Sequence, residues 1–415
     1  MENEREKEKE KWVKACMRGE IKAYQAASAL GVSVRQVENL KAKLKEGKSL
    51  IHGNCGRSSA RRLPDEVREK ILEEYQNPLY KGINFAHFTD ILNEKEYVAS
   101  YSAVCNVLKT EGYISPKAKR KPKKVHKTRE RRPCFGELLQ GDASEFGWFK
   151  NLGIFGKYAL HGFIDDKTGK ITGLHFALHE CLDGYNEVFR QTLLRYGVPE
   201  SLYLDGLSIF FSNKKEELTI EEELLGIESR LTQFGRICDY FGVSLIHARS
   251  SQAKGRIERL WETLQSRLPI ELARRGIRTI EAANKFLQNE FIDWFNERFG
   301  VNDDAKSIFV PLLDGIDLDE ILCYKEQRTV LKGGVISLKN VQFSVVGFDK
   351  IGAKIDILIS TRLGVVAQFE NRFYELLPIR WQKKSTNSSN SVDMILRRFV
   401  EFYTLKNEHA IRLSA

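Results

Sequence analysis

Between residues 21 and 47, IKAYQAASALGVSVRQVENLKAKLKEG, apolar positions recur at helical spacing as far as Leu30, break at Gly31 and resume at Val34, Val37 and Leu40. The pattern predicts two short helices about a glycine turn, with Ala27 small enough for the helices to touch and Val37 filling the space between them. The second helix leaves Arg35, Gln36, Asn39 and Lys43 on its outer face. Side chains of these types reach base edges and phosphates when a helix lies in the major groove of DNA. Residues 1–48 are therefore read as a helix-turn-helix DNA-binding module, against the alternative of an ordinary helical hairpin. After the linker GNCGRSSARR, a second helical segment over 60–115 holds NFAHFTDILNEKEYVASYSAVCNVLKTEGY. It predicts helix, short turn and helix, with Ser100 as N-cap and Tyr101, Ser102, Asn106 and Lys109 exposed, and is read as a second DNA-binding module.

Past Pro133 the period changes from helical to alternating. ELLQGDASEFGWF, YALHGFIDD and KITGLHFALHE, separated by the turn-rich NLGIFG and DDKTGK, predict three strands. DGYNEVFRQTLLRYG then has helical period with Asp183 as N-cap, ESLYLDG is a short strand, LTQFGRICDYFG a helix, VSLIHA a strand and AKGRIERLWETLQSRL a helix. Hairpin strands followed by alternating helices and strands describe a mixed sheet covered on both faces. That is the order of a ribonuclease-H-like α/β core, placed at 134–300. Its last part, 279–300, predicts one amphipathic helix with Phe286, Phe291 and Trp294 turned inward. Short strands at regular spacing from 324 to 378 predict a small SH3-like β-barrel within 320–380. Residues 385–415 read as a linker and a C-terminal helix available to pack on a second protomer. The expected architecture is multidomain α+β.

Charge sharpens this picture. The excess of 66 Lys+Arg over 56 Asp+Glu gives +10, and it is concentrated in a basic linker at 116–133, where KAKRKPKKVHKTRERR holds ten basic residues and one acidic. A solubilising linker has the same composition, but such a block suits a polyanion, and Lys119, Arg120, Lys121, Lys123 and Lys124 are expected to lie along DNA. The seven cysteines are scattered without a CxxC pair, which points to reduced thiols in a cytoplasm rather than a disulfide framework. His175 and His179 have four-residue spacing but fall in a strand-like run, so a metal site there is not favoured. The N-terminal MENEREKEKEKW is charged, and no stretch approaches the roughly 20 apolar residues of a membrane span.

The predicted strands give three carboxylates a common destination. Asp142 lies in the first strand, Asp205 ends the fourth and Glu258 sits on the helix after the fifth. With the first and fourth strands adjacent and the helix packed on their ends, the three converge. Carboxylates in such proximity repel unless a cation lies among them, and hard oxygen donors without histidine or cysteine suit Mg²⁺ or Mn²⁺. Two such ions about 3.5 to 4 Å apart activate the attacking oxygen and stabilise the leaving one in phosphoryl displacement. On the same helix, Lys254 and Arg256 stand where an N-terminus already favours anions, Gly255 admits a phosphate, and Arg259 continues the basic face, all toward DNA. Trp261 and Leu264 read as core, Glu262 as solvated, Asp165 and Asp166 as turn residues, and Glu145 as lying on the opposite strand face from Asp142.

The segments LLQGDAS, LYLDG and SSQAKGRIERLWETL resemble the signature segments of retroviral-integrase-like DDE transposases. Together with the helical modules and the small β-rich end, the chain resembles bacterial insertion-sequence transposases of the ISNCY-like kind over about residues 20 to 380. The resemblance implies a DDE transposase that binds insertion-sequence ends and performs Mg²⁺-dependent strand cleavage and strand transfer. Asp142, Asp205 and Glu258 would hold two metal ions, and Lys254 would contact the DNA ends. It further implies double-stranded DNA as partner, at least a dimer on it, and a bacterial cytoplasmic, nucleoid-associated location. Two departures stand out: Gly206 where many integrases have asparagine, and 52 residues between Asp205 and Glu258, with the acidic SNKKEELTIEEELLGIESR as an apparent inserted helix. The alternatives are a catalytically silent DNA-binding regulator and a nuclease of the same fold that does not join strands.

Overall fold

The computed structural model describes residues 2–50, 63–95, 99–116, 130–211, 231–248, 254–301, 305–339, 341–381 and 391–414, and the chain divides into two compact units, 1–72 and 73–415. In the first unit, α1 (Glu2–Met17) precedes α2 (Ala23–Leu30) and α3 (Val34–Lys45). Gly31, at φ 64°, turns the chain out of α2, and Ser33 caps α3 by accepting the Gln36 N–H at 3.3 Å. Ala27 and Val37 are buried as their spacing predicts, but the small core also takes Cys16 from the charged α1. Arg35, Gln36, Asn39 and Lys43 are all exposed on α3. A fourth helix, α4, spans Asp65–Tyr75.

The second unit begins with α5 (Phe85–Glu94) and α6 (Tyr101–Thr110), the predicted helix pair. Asn84 and Ser100 cap them through the N–H groups of His87 and Ala103. Next comes a mixed sheet of β1 (Leu139–Phe146), β2 (Tyr158–Asp165), β3 (Ile171–Ala177), β4 (Ser201–Leu204) and β5 (Ser244–His247), in the order β3-β2-β1-β4-β5. β1, β2 and β3 pair antiparallel, whereas β1–β4 and β4–β5 are parallel. The helices α7 (Leu182–Arg195) and α8 (Gln233–Tyr240) cover one face, closing a core of Leu139, Phe163, Tyr185, Phe189, Leu202 and Phe234. The other face carries α9 (Gly255–Arg274), α10 (Ile280–Phe286) and α11 (Ile292–Phe299), over Leu160, Leu174, Phe176, Ile257 and Leu264.

Two sequence expectations need correction here. Cys181, not Asp183, is the N-cap of α7; Asp183 lies in the first turn, and its carboxylate accepts from the Thr361 hydroxyl at 2.8 Å. The helix expected over 279–300 is interrupted by a π-turn at Leu287–Phe291, which shifts Phe291 and Trp294 so that Phe291 is buried and Trp294 only partly so.

After a short α12 (Leu318–Ile321), the strands β6 (Tyr324–Thr329), β7 (Val335–Leu338), β8 (Val341–Val345), β9 (Lys354–Ser360), β10 (Gly364–Phe369) and β11 (Arg372–Trp381) form a nearly closed sheet in the order β6-β9-β10-β11-β8-β7. The C-terminal helix α13 (Ser391–Ser414) buries Val392, Leu396 and Val400 in this sheet's own core beside Phe343 and Ile357. One apolar face of the helix is thus turned to the chain's own barrel, while Phe402 stays exposed. Among the described residues the cysteines are unpaired, and no helix is long and apolar enough to cross a membrane.

Within the second unit, α5 is tied to the C-terminal half of α9. His87 Nε2 lies 2.6 Å from Glu271 Oε1, Asp90 accepts from Arg267 at 2.8 Å and Arg298 at 3.1 Å, and Glu94 accepts from Arg274 at 2.9 Å. Burial holds His87 neutral, so its Nε2–H donates to an ionised Glu271. Although burial alone pushes the Glu271 carboxyl up, His87, Arg274 and Arg275 outweigh it and hold the group down at about 2. A carboxyl depressed from 4.5 to about 2 stabilises the fold above pH 4.5 and loses that contribution as pH falls toward 2. Glu271→Ala is expected to cost about 3 kcal/mol at neutral pH. Chemical denaturation of both proteins checks this: the difference should shrink on acidification through that window, and a pH-independent difference would contradict the assignment.

Candidate active site at the strand ends

Alternate residues of β1 point to one face, and on the face toward α9 these are Gln140, Asp142 and Ser144. Each is hydrogen-bonded to the helix. Gln140 Oε1 accepts the backbone N–H groups of Arg256 at 3.2 Å and Ile257 at 3.3 Å, satisfying donors that a helix start leaves unpaired. Asp142 accepts from Lys254 Nζ at 3.0 Å and from the Trp261 indole N–H at 2.9 Å. Ser144 Oγ accepts from Gln265 Nε2 at 3.0 Å.

The parallel β1–β4 pairing sets Leu139 opposite Leu202 and Gln140 opposite Tyr203. Continued past the end of β4, that register brings Asp142 level with Asp205. Lys254 Nζ lies 3.0 Å from Asp142 and 3.9 Å from Asp205, and the lysine is only 8% exposed. One buried ammonium therefore balances both carboxylates. Glu258 lies one turn further along α9, on the same face as Lys254, and is exposed. Among the described residues, no group of three His, Cys, Asp or Glu side chains is gathered closely enough to hold a metal ion. The structure thus brings Asp142 and Asp205 together around Lys254 and leaves Glu258 exposed on α9.

The other predicted site residues separate. Arg259 is exposed on α9. Arg256 turns inward, its Nε donating to Asp166 at 3.2 Å. Asp165 is the last residue of β2 and Asp166 follows it into the turn, and both are buried: Asp165 accepts from Gly136, Thr168 N–H and the Thr168 hydroxyl, and Asp166 from Arg132, Gln140 and Arg256. Burial raises the Asp165 carboxyl despite those donors. Lys119, Arg120, Lys121, Lys123 and Lys124 lie outside the described residues, as does the expected inserted helix at 212–230. Gly206 has a steric reason: a Cβ there would stand 2.6 Å from His247 Nε2, so the asparagine of many integrases would displace that ring.

Three side chains have interactions that the sequence reading did not give them. Trp261, expected as plain core, is buried and is also a donor to Asp142. Its spacing was a usable signal, because it stands seven residues after Lys254 and so on the same helix face. The others are Glu180 and Tyr185. The Tyr185 hydroxyl donates to Glu180 Oε1 at 2.5 Å, and the Glu180 carboxyl is raised by burial, with the charges of Asp142 and Asp205 adding to the effect and Tyr185 and Lys254 opposing it. No local motif marks that pair. Gly162, paired with Asp142 across β1 and β2, supplies space for the indole: a Cβ would meet Trp261 Cη2 at 2.9 Å and Leu174 Cδ2 at 2.8 Å.

Fold and site together define a class, a mixed α/β core with paired carboxylates on adjacent strands, Asp142 within β1 and Asp205 just past β4, followed by a barrel-like sheet. No protein-family model matches the chain. It is 34% identical over 362 residues to the transposase for insertion sequence IS1202 of Streptococcus pneumoniae, covering 79% of this chain and 75% of that protein. To y4bF of Sinorhizobium fredii, described as a transposase, it is 33% identical over 323 residues, covering 75% of this chain and 66% of that protein. Among solved structures it is similar to the catalytic core domain of BIV integrase, with 17% identity, a TM-score of 0.27, and coverage of 41% of this chain and 90% of that one. The HTLV-2 integrase catalytic core in complex with magnesium is similar at 18% identity and a TM-score of 0.26, over 41% of this chain and 93% of that one. On the curated relatives, the chain belongs to the insertion-sequence transposases.

Gly162→Ala is expected to destabilise the protein by about 1 to 3 kcal/mol by overpacking against Trp261 and Leu174. Because the indole must move, its fluorescence spectrum should change as well. A variant with unaltered melting and emission would show that the contact yields freely.

Proposed function

We propose that this transposase binds the ends of its mobile element and carries out metal-dependent DNA strand cleavage and strand transfer at Asp142, Asp205 and Glu258. The observation that supports this most is the buried Lys254 ammonium bracketed by the carboxylates of Asp142 and Asp205. Two facing carboxylates, one within β1 and one just past β4, form a site that needs a cation, and the ammonium stands in for one. The donor set is all hard oxygen, which fits Mg²⁺ or Mn²⁺. Asp142 and Asp205 would hold the ions, with Glu258 closing the set from α9. When bound, two such ions supply activation of the attacking oxygen and stabilisation of the leaving one.

The chain's own residues do the positioning. Trp261 holds one oxygen of Asp142 and so fixes the rotation of that carboxylate, leaving the other turned toward Lys254. Lys254, exchanged off the acids, offers its ammonium to a DNA phosphate, and with exposed Arg259 and the positive end of α9 it makes an anion-attracting rim. Arg35, Gln36, Asn39 and Lys43 on α3 read the element end, α6 contributes a second contact, and the basic tract at 116–133 follows the DNA backbone. Arg256, engaged with Asp166, orients the helix start rather than the DNA. Water is the first nucleophile and a DNA 3′-hydroxyl the second. Two ends must meet, which calls for at least a dimer, working on double-stranded DNA at the bacterial nucleoid.

The test is Mg²⁺-dependent nicking and joining of DNA taken from the flanks of the gene. Asp142→Asn, Asp205→Asn and Glu258→Gln should each lower both steps by about 100-fold or more while end binding persists. Undiminished joining by any of the three would remove that residue from the site. Nicking without joining by the unmodified protein would instead favour a nuclease, and neither reaction with intact end binding a regulator.

A further inference from the structure

The hairpin that joins β1 to β2 projects from the edge of the sheet at which the acid pair lies. β4 ends at Leu204, one residue past the Gln140–Tyr203 pair, whereas β1 runs on to Phe146, four residues and so about 13 Å beyond Asp142, before the chain returns from Tyr158. The turn between them is held at several points. The Trp148 indole N–H donates to the carbonyls of Ser144 at 3.2 Å and Tyr158 at 2.9 Å, closing the base of the hairpin. Leu152 and Ile154 pack on the core that holds Trp148 and Phe149, and Gly153, at φ 73°, turns the chain between them. Asn151 Nδ2 donates to the carbonyls of Leu79 at 3.4 Å and Lys81 at 3.5 Å. One side chain is left out of this fixed loop: Phe155, 89% exposed, is the most exposed large apolar side chain among the described residues. The charge around it has one sign. From Phe146 to Ile164 the chain holds no Asp or Glu. Lys150 and Lys157 are exposed on either side of Phe155 in the chain, and Lys81 is exposed on the segment that Asn151 holds. Lys150 Nζ lies 4.6 Å from the centroid of the Phe146 ring rather than against a carboxylate.

We infer that Phe155 is a DNA-stacking residue, whose ring lies on a nucleobase unstacked from the duplex beside the acid pair while Lys150 and Lys157 hold phosphates to either side. The inference rests on the reading of Asp142 and Asp205 as the place where DNA is cut. Single exposed apolar side chains are ordinary on protein surfaces, and a loop residue without a role is the competing account. Against it stands the construction of the loop: the apolar neighbours Leu152 and Ile154 are tucked into the core, so the ring is presented by a held backbone instead of hanging from a loose one. An aromatic ring stacks on the face of any base, and apolar side chains wedge between base steps. Unopposed lysines beside the ring select a polyanion over an apolar protein surface. With DNA rising about 3.4 Å per base pair, the hairpin reaches a duplex about four to six pairs from a phosphate held at the acids.

The full chain is titrated into fluorescently labelled duplex from the flank of the gene, fully paired or with one mismatch placed in turn at each position within about six pairs of the nick. A mismatched base is the easier one to take out of the stack, so the unmodified protein should bind one of the mismatched duplexes more tightly than the paired one. Phe155→Ala should bind about 10-fold more weakly and lose that preference, with melting unchanged because the ring is in solvent. Phe155→Trp should restore both affinity and preference. Lys150→Gln combined with Lys157→Gln should weaken binding to every duplex alike and lower the slope of log affinity against log salt by about 2. Affinity and mismatch preference in Phe155→Ala equal to those of the unmodified protein, with nicking intact, overturn the inference and leave the acid site standing, as does an unmodified protein indifferent to every mismatch. Unchanged DNA binding by Phe155→Ala together with an altered oligomeric state on sedimentation overturns it in favour of an interface between copies. Failure of the unmodified protein to bind or nick the flanking DNA removes the reading of the acids and this inference with it.

Discussion

The hydrogen bonds between alternate residues of β1 and the helix α9 hold the site together. Gln140 reaches Arg256 and Ile257, Asp142 reaches Lys254 and Trp261, and Ser144 reaches Gln265. The spacings match: four strand residues at about 3.3 Å cover roughly 13 Å, and nine helical residues at about 1.5 Å cover nearly the same distance. Strand and helix therefore keep step along their contact. A shift of one residue in either would separate Asp142 from both its donors and leave the first turn of α9 uncapped. The acid site is a consequence of that alignment, joined to the parallel pairing that sets Asp205 beside Asp142.

Charge balance follows from the same geometry. Two carboxylates on neighbouring strands cannot be left facing each other, and Lys254, delivered by the capped start of α9, occupies the space between them. At the other end, α9 carries Arg267, Glu271 and Arg274, which receive the carboxylates and buried histidine of α5. One helix thus holds the acid pair near its first turn and the preceding helical module near its last.

On the opposite face, α7 plays the complementary part. Glu187 receives Arg362 through two hydrogen bonds of 2.5 and 2.8 Å, and Asp183 receives Thr361, so the turn between β9 and β10 is fastened to α7. Gln233 on α8 exchanges hydrogen bonds with the backbone of Lys325 at the start of β6. The barrel is fixed to the helices that back the site, and Tyr185 stands between Asp183 and Glu187 on the helix so fastened.

What the sequence determined by itself is the part governed by local pattern. The alternation of β1 to β3, the helical period of α7 to α9, the cap at Ser100 and the spacing of the barrel strands are nearest-neighbour properties, whereas the neighbouring of β1 and β4 was expected only from the sheet order of the fold class. Periodicity reports that a face is buried, but not what it is buried against. The tertiary structure therefore decided that Trp261 donates to Asp142, that Arg256 is held by Asp166, and that an apolar face of α13 covers its own barrel. Each of these joins residues far apart in the chain, and each depends on the distances and directions that packing alone sets.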